Sequence, residues 1–248
     1  MAQWCNSLCD FCKYDRDVTA AAMSCVDRYA ATPQGMDRIL MDRDQYQLAV
    51  MTSLYMVAKV QQHEALDPDS VAKLSRGKHT KRDIEAMEMT MLSGLKWRVH
   101  PPTPWTFAQE LLKLVDVMDP TTRQRIVELT KYQLEATVYK YELTLQRPSV
   151  VAFGAVLNAM ESLNVASALQ FESMVSRLLQ TEVPQLRDVR VATLKVIAED
   201  AAAGETQPPE CVLLTQRMNA RVVSPPATKE TVSRCGTASP VSVSATIR

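Results

Sequence analysis

Up to about residue 203 the apolar positions recur with a helical rather than an alternating period. Between Asp15 and Tyr29 an alanine-rich stretch sets Val18, Ala22, Cys25, Val26 and Tyr29 at helical spacing. From Asp44 to Gln62 the run QLAVMTSLYMVAKVQQ is apolar nearly all the way round, the mark of a helix enclosed by others. Thr80 is placed to cap a helix whose Ile84, Met87, Met91, Leu92 and Leu95 form an inward stripe, with Asp83 in its first turn. Thr103-Pro104 starts the next helix, WTFAQELLKLVDVM, and Pro120 to about Tyr141 forms another. Pro148 opens a helix through SVVAFGAVLNAMESL, and two more are predicted near Ala168 to Gln180 and Leu186 to Ala203.

Breakers gather at Thr32-Pro33-Gln34-Gly35, Asp67-Pro68-Asp69, Gly77 and His100-Pro101-Pro102-Thr103-Pro104. Proline lacks an N–H and crowds the preceding turn, so the last of these reads as a hinge. It divides the chain into residues 1–99 and 100–203, each with about five helices and a mostly apolar, small-residue helix in its middle (Ala49, Ala58; Ala152, Gly154, Ala155). That arrangement suggests an internal duplication. Residues 204–248 are rich in Ser, Thr, Pro and Val and are expected to form a disordered tail, with Ser224-Pro225 and Ser239-Pro240 as candidate phosphorylation sites.

Only six glycines occur in 248 residues, which leaves little material for nucleotide-cradling loops or tight βα connections and strengthens the all-α reading. The 28 basic and 28 acidic side chains cancel, so bulk charge gives no support for nucleic-acid binding. No apolar run reaches the roughly 20 residues that span a bilayer, and no membrane association is expected. Six cysteines in a chain of this length fit reduced thiols better than a disulfide framework, pointing to the nucleus or cytoplasm.

Candidate chemistry is sparse. Cys5, Cys9 and Cys12 have the CxxxCxxC spacing of radical-SAM iron–sulfur loops. The same spacing is one face of an amphipathic helix, where free cysteine packs as a small hydrophobe, and the latter reading is preferred. His63, His79 and His100 are scattered among breakers and polar residues and are expected to be solvated, with no metal or other cofactor. No nucleophile elbow, phosphate loop or kinase signature is present, so no enzymatic activity is expected. Two ionisable residues stand out instead: Lys59 ends the apolar run LYMVAK, and Glu88 interrupts the Met87 to Leu95 stripe.

The sequence resembles the cyclins. WCNSLCDFCKYDRDVTAAAMSCVDRY looks like the end of the first cyclin-box helix and the whole second one, with the family's Trp at Trp4 and its Asp-Arg pair at Asp27-Arg28. DQYQLAVMTSLYMVAKV looks like the third helix, IEAMEMTMLSGLKWRVHPPTPWTF like the fifth plus the linker, and YELTLQRPSVVAFGAVLNAM like the heart of a second box. SRGKHTKRDIEAMEMTML is similar to diatom cyclins. The resemblance implies two tandem five-helix boxes, the first helix of the first box shortened, and a regulatory subunit that binds and activates a cyclin-dependent protein kinase in cell-cycle control. Lys59 and Glu88 would grip the kinase, with Met56, Val60, Leu92, Trp97 and Val99 lining an apolar groove around them and Trp97 as anchor. A second patch, Trp4, Leu8, Tyr46 and Gln47, would dock substrates or inhibitors carrying short basic-leucine motifs.

Three departures matter. Ser7 replaces the acidic residue expected one turn after the Trp, which weakens charge complementarity to a basic motif. Gln61-Gln62 replaces an acidic pair often found after the lysine. The Met-Arg motif whose arginine pairs with the aspartate matched by Asp27 would precede Met1, so Asp27 is expected to be a buried carboxylate short of its partner, and an upstream-extended chain to be more stable. Alternative readings are a cyclin-fold scaffold that binds without activating, or a transcription-associated relative, which would need a basic face.

Overall fold

The structure, a computed structural model, describes residues 1–64 and 66–202. The tail expected at 204–248, with its Ser-Pro pairs, lies outside the described residues. The first half holds α1 (Ala2–Cys12), α2 (Asp17–Ala30), α3 (Pro33–Ile39), α4 (Arg43–Gln61), α5 (Pro68–Leu74) and α6 (Lys81–Gly94). The second holds α7 (Pro104–Lys113), α8 (Pro120–Thr137), α9 (Tyr141–Thr144), α10 (Pro148–Ser162), α11 (Ala168–Leu179) and α12 (Val183–Ala202). The chain is all helical among the described residues, as the apolar periodicity predicts.

Among the described residues the two boxes stand as expected, with short helices added: two expected breakers in the first half act as helix starts, and the second half gains the single turn α9. Thr32 accepts the Gly35 N–H and Asp67 the Ser70 N–H, and the proline that follows each cap opens α3 and α5. A proline at the first helical position loses nothing, since its missing N–H would have been an orphan. Thr103 and Asp119 cap α7 and α8 in the same way. The helix expected to run from Pro120 to Tyr141 stops at Thr137, and Tyr141–Thr144 forms a separate single turn. Thr80 and Asp83 exchange bonds in a capping box at the start of α6.

Two hydrophobic cores sit on either side of the Arg98–Thr103 linker. In the first, α4 is buried continuously from Leu48 to Ala58 and is enclosed by α2, α3, α5 and α6. In the second, α10 is buried from Val150 to Met160 and is enclosed by α7, α8, α11 and α12. In the first core Ser53 donates to the Ala22 carbonyl at 2.8 Å, while the Tyr29 and Thr52 hydroxyls are enclosed without a hydrogen-bond partner. In the second core Gln133 donates to the Ala155 carbonyl and accepts from Asn158. Close packing is set by small residues at two points. Gly94 lies against the ring of Tyr29, and a Cβ on Gly154 would stand 3.3 Å from Arg190 on α12. No helix among the described residues is long and apolar enough to cross a membrane.

Candidate functional site

α4 delivers Lys59 in its last turn, where the helix carbonyls favour a cation. α6 packs across α4 and presents Glu88, so that Lys59 Nζ meets Glu88 Oε1 at 2.7 Å. Lys59 Nζ also donates to the Tyr55 hydroxyl at 3.3 Å and lies 4.9 Å from the centre of that ring. The bond to Glu88 raises the Lys59 pKa above its ordinary value, against partial desolvation and with help from Tyr55. The lysine side chain is 51% exposed and the glutamate 13%, so the carboxylate is the wall and the ammonium the open edge.

The apolar surroundings are only partly as expected. Val60 is 55% exposed beside Lys59, Trp97 is 67% exposed, and Leu92 and Val99 are half-buried against the first core. Met56 is 2% exposed and belongs to that core. It does not line a groove, because α4 is buried without a break from Leu48 to Ala58 and turns out to solvent at Lys59. Met89, next to Glu88 on α6, adds an exposed apolar side chain that was not anticipated.

Trp97 is held out by the way α6 ends. The Trp97 N–H bonds to the Leu92 carbonyl and the Lys96 N–H to that of Ser93, which is the Schellman pattern. Lys96 (φ 52°) and Trp97 (φ 61°) are both left-handed, a conformation that costs a non-glycine residue about 1 kcal/mol or more.

At the other end of α4, Trp4, Tyr46 and Gln47 are half-buried, with Trp4 and Tyr46 packed on the first core. Leu8 is 8% exposed and part of that core, so it cannot serve a docking patch: the turn that carries it faces inward with Cys5 and Cys9. Asp27 is exposed rather than buried. Partial desolvation pushes its pKa up, but water reaches the carboxylate, and the expected penalty for an unpaired buried charge, with the stability gain it implied for an extended chain, loses its basis. It stands at the edge of a cleft of about 200 Å³ between the halves, with Met23, Thr103, Val138 and Leu143 among the walls.

Cys5 and Cys9 lie fully buried on the inner face of α1, and Cys12 is half-buried. Burial pushes the Cys5 thiol up to about 12 and raises Cys9 and Cys12 as well, so these are protonated packing groups. Among the described residues no group of three or more His, Cys, Asp or Glu side chains is placed to hold a metal ion. His63 and His100 are exposed, with His100 Nδ1 3.1 Å from Gln61 Nε2. His79 departs from the expectation of a solvated ring: it is half-buried, and its Nε2 is enclosed without a hydrogen-bond partner.

The sequence reading missed the contacts that join the halves. Arg16 bonds Asp10 with two nitrogens at 2.8 Å and Glu135 on α8 at 3.2 Å. Lys131 pairs with Asp15 at 2.7 Å while lying over the Trp105 ring, and Thr103 donates to Asp17 at 2.9 Å. The charged stretch Lys13 to Asp17 between two helices was the available signal.

Residues 1–100 match the family model described as cyclin, N-terminal domain, and residues 102–208 the model described as cyclin, C-terminal domain. The chain is 22% identical over 193 residues to the G1/S-specific cyclin-D1 of Mus musculus, covering 75% of this chain and 63% of that protein. It is 29% identical over 133 residues to the G2/mitotic-specific cyclin-B1 of Oryzias latipes, covering 52% of this chain and 32% of that protein. The chain thus spans less than two thirds of the length of either relative. Its fold is similar to the X-ray structure of a viral cyclin from herpesvirus saimiri, with a TM-score of 0.62 at 15% identity over 80% of this chain and 82% of that one.

Proposed function

The chain belongs to the cyclin family, and from that premise we propose that it binds a cyclin-dependent protein kinase through the Lys59–Glu88 face and holds it in its active conformation, acting in cell-cycle control in the nucleus or cytoplasm. One observation carries the reading: an ion pair of 2.7 Å bridges α4 and α6 at the surface with its ammonium half exposed, while Val60 and Met89, the sequence neighbours of the two partners, and Trp97 just beyond α6 are exposed apolar side chains.

Stability alone gives little reason for such a pair. An exposed ion pair contributes between 0 and about 1 kcal/mol, because water and salt screen it and two long side chains must be held still. Covered by a partner, the same charges become costly to lose: truncating one side of a desolvated, hydrogen-bonded charge costs roughly 2 to 5 kcal/mol. Lys59 has one donor to spare for a backbone carbonyl of the visiting chain, the other two being used on Glu88 and Tyr55. The exposed indole of Trp97 is a large, rigid anchor of the kind that dominates interfaces.

The chain supplies no reacting group to this chemistry. It contributes binding energy to one conformation of the kinase, with the regulatory helix seated inward, and differential affinity is what shifts a two-state equilibrium. The test is co-purification with candidate cyclin-dependent kinases, followed by a phosphoryl-transfer assay on the recovered complex. Lys59→Ala and Glu88→Ala are expected to abolish recovery with helix content unchanged. Undiminished recovery from both variants overturns the site, and stable binding with no gain in kinase activity reassigns the chain as a scaffold.

A further inference from the structure

α4 carries one aromatic residue in its buried run from Leu48 to Ala58, Tyr55. Its side chain is 7% exposed and belongs to the first core, and it stands four positions before Lys59, one helical turn back on the same side of the helix. The ring packs among apolar neighbours while the hydroxyl reaches the edge where Lys59 leaves the helix for solvent. Core packing alone gives no reason for that hydroxyl, because a phenylalanine would bury the same ring without desolvating a polar group.

Three contacts converge on the Lys59 ammonium. Glu88 Oε1 on α6 accepts one N–H at 2.7 Å, the Tyr55 hydroxyl oxygen accepts a second at 3.3 Å, and the Tyr55 ring centre lies 4.9 Å from Nζ. The face of an aromatic ring attracts a cation at that range. Held by one acceptor, an ammonium can pivot about the bond and its other donors sweep a cone. Held by two, on different helices, its third N–H has one direction. Glu88 leads in raising the Lys59 pKa, and the Tyr55 hydroxyl works in the same sense.

We propose, on the kinase-binding reading of this site, that Tyr55 is a positioning residue for the Lys59–Glu88 pair: its hydroxyl and ring hold the ammonium so that the remaining N–H is aimed at a single carbonyl oxygen of the visiting chain. The nearly enclosed phenol acts on the visitor through Lys59. Lysine is a point charge on a flexible four-carbon stem, and ordering such a stem on association costs affinity. A stem already braced from α4 and α6 avoids part of that cost. The hydroxyl thus contributes to binding without adding a contact to the partner.

One arm of the experiment needs no kinase. The full chain is exposed at mildly alkaline pH to a trace of acetic anhydride, and acetylation of Lys59 is quantified by peptide mass spectrometry against Lys73, which is exposed and has no ion pair among the described residues. Only the uncharged amine reacts, so a lysine held as ammonium is labelled slowly. Tyr55→Phe keeps the ring and removes the hydroxyl alone, so helix content and melting temperature should stay close to the parent's. Lys59 labelling is expected to rise in Tyr55→Phe and to rise further in Glu88→Gln. In the other arm, a cyclin-dependent kinase recovered with the parent chain is titrated with each variant, and Tyr55→Phe is expected to weaken affinity about threefold to tenfold, the scale of one hydrogen bond. Unchanged Lys59 labelling in Tyr55→Phe, with or without a lower melting temperature, makes Tyr55 a packing residue and overturns the proposal. So does full affinity in Tyr55→Phe alongside loss of binding in Lys59→Ala, a result that leaves the ion pair standing as the kinase site. Undiminished binding by Lys59→Ala overturns the site itself, and the role of Tyr55 with it.

Discussion

Arg16 and Glu135 meet at 3.2 Å across the boundary between the two halves, one at the entry to α2 and the other on α8. The same guanidinium is held by Asp10 on α1, so a single side chain fixes three elements from both halves.

Arg16→Ala should therefore loosen the junction without unfolding either core. Burial pushes the Glu135 pKa up, and the Arg16 charge opposes that shift, so the variant leaves a carboxylate less well compensated. Both partners retain solvent contact, which screens the interaction and limits the expected loss to about 1 kcal/mol in urea unfolding. Raising the salt concentration should shrink the difference between variant and parent. A loss that persists unchanged in high salt would point to packing of the arginine stem instead.

Asp17 gives a pH signature. Burial raises its pKa, partly offset by the Thr103 hydroxyl; Asp15 adds to the rise, and Lys131 and His100 oppose it. A carboxyl whose folded pKa lies above its unfolded value binds its proton more tightly when folded. Its ionisation thus costs stability at neutral pH, the cost shrinks as pH falls through the folded pKa, and it is gone below the unfolded value near 3.9. Asp17→Asn, which can still accept from Thr103, should raise the melting temperature at pH 7 and leave it unchanged near pH 3. A gain of equal size at both pH values would contradict this account.

Gly35→Ala should be among the most damaging small changes. A Cβ there would stand 1.9 Å from the Tyr29 carbonyl oxygen, and the obstacle is backbone rather than a flexible side chain. Separating α3 from the end of α2 is expected to cost about 3 kcal/mol or more, measured by thermal unfolding.

Trp97→Gly separates the two roles of the α6 corner. Glycine adopts the left-handed backbone without strain, so stability should hold or rise by up to about 1 kcal/mol. If Trp97 is the anchor proposed above, recovery of a bound kinase should fall sharply. Loss of both stability and binding would assign the indole a packing role.

The helices were legible because their signals are local. The unbroken apolar run of α4, the Thr80–Asp83 box and the prolines behind Thr103 and Asp119 each follow from a few neighbouring residues. Thr32-Pro33 and Asp67-Pro68 were read as breaks, although the same pattern at Thr103-Pro104 was read as a start; cap and turn share their residues, and tertiary packing decides between them. Depth was less legible than type. Met56 and Leu8 went inside and Asp27 outside, since the exposure of a helical position depends on which neighbours arrive, and periodicity does not specify them. The junction pairs Arg16–Glu135 and Asp15–Lys131 join residues more than a hundred positions apart, and no local pattern encodes such a choice.

The ends of the two central helices are not equivalent. Lys59 leaves α4 toward solvent, whereas Glu161 at the end of α10 faces Arg190 at 2.7 Å, and that guanidinium is only 11% exposed and also bonded to Asn158. The two central helices sit in similar surroundings, and sealing one of these charged termini while leaving the other open gives the molecule polarity. If the proposed kinase recognises an open ammonium beside a carboxylate, these two ends offer it one such handle, and the proposal then predicts one-to-one stoichiometry and a single docked orientation.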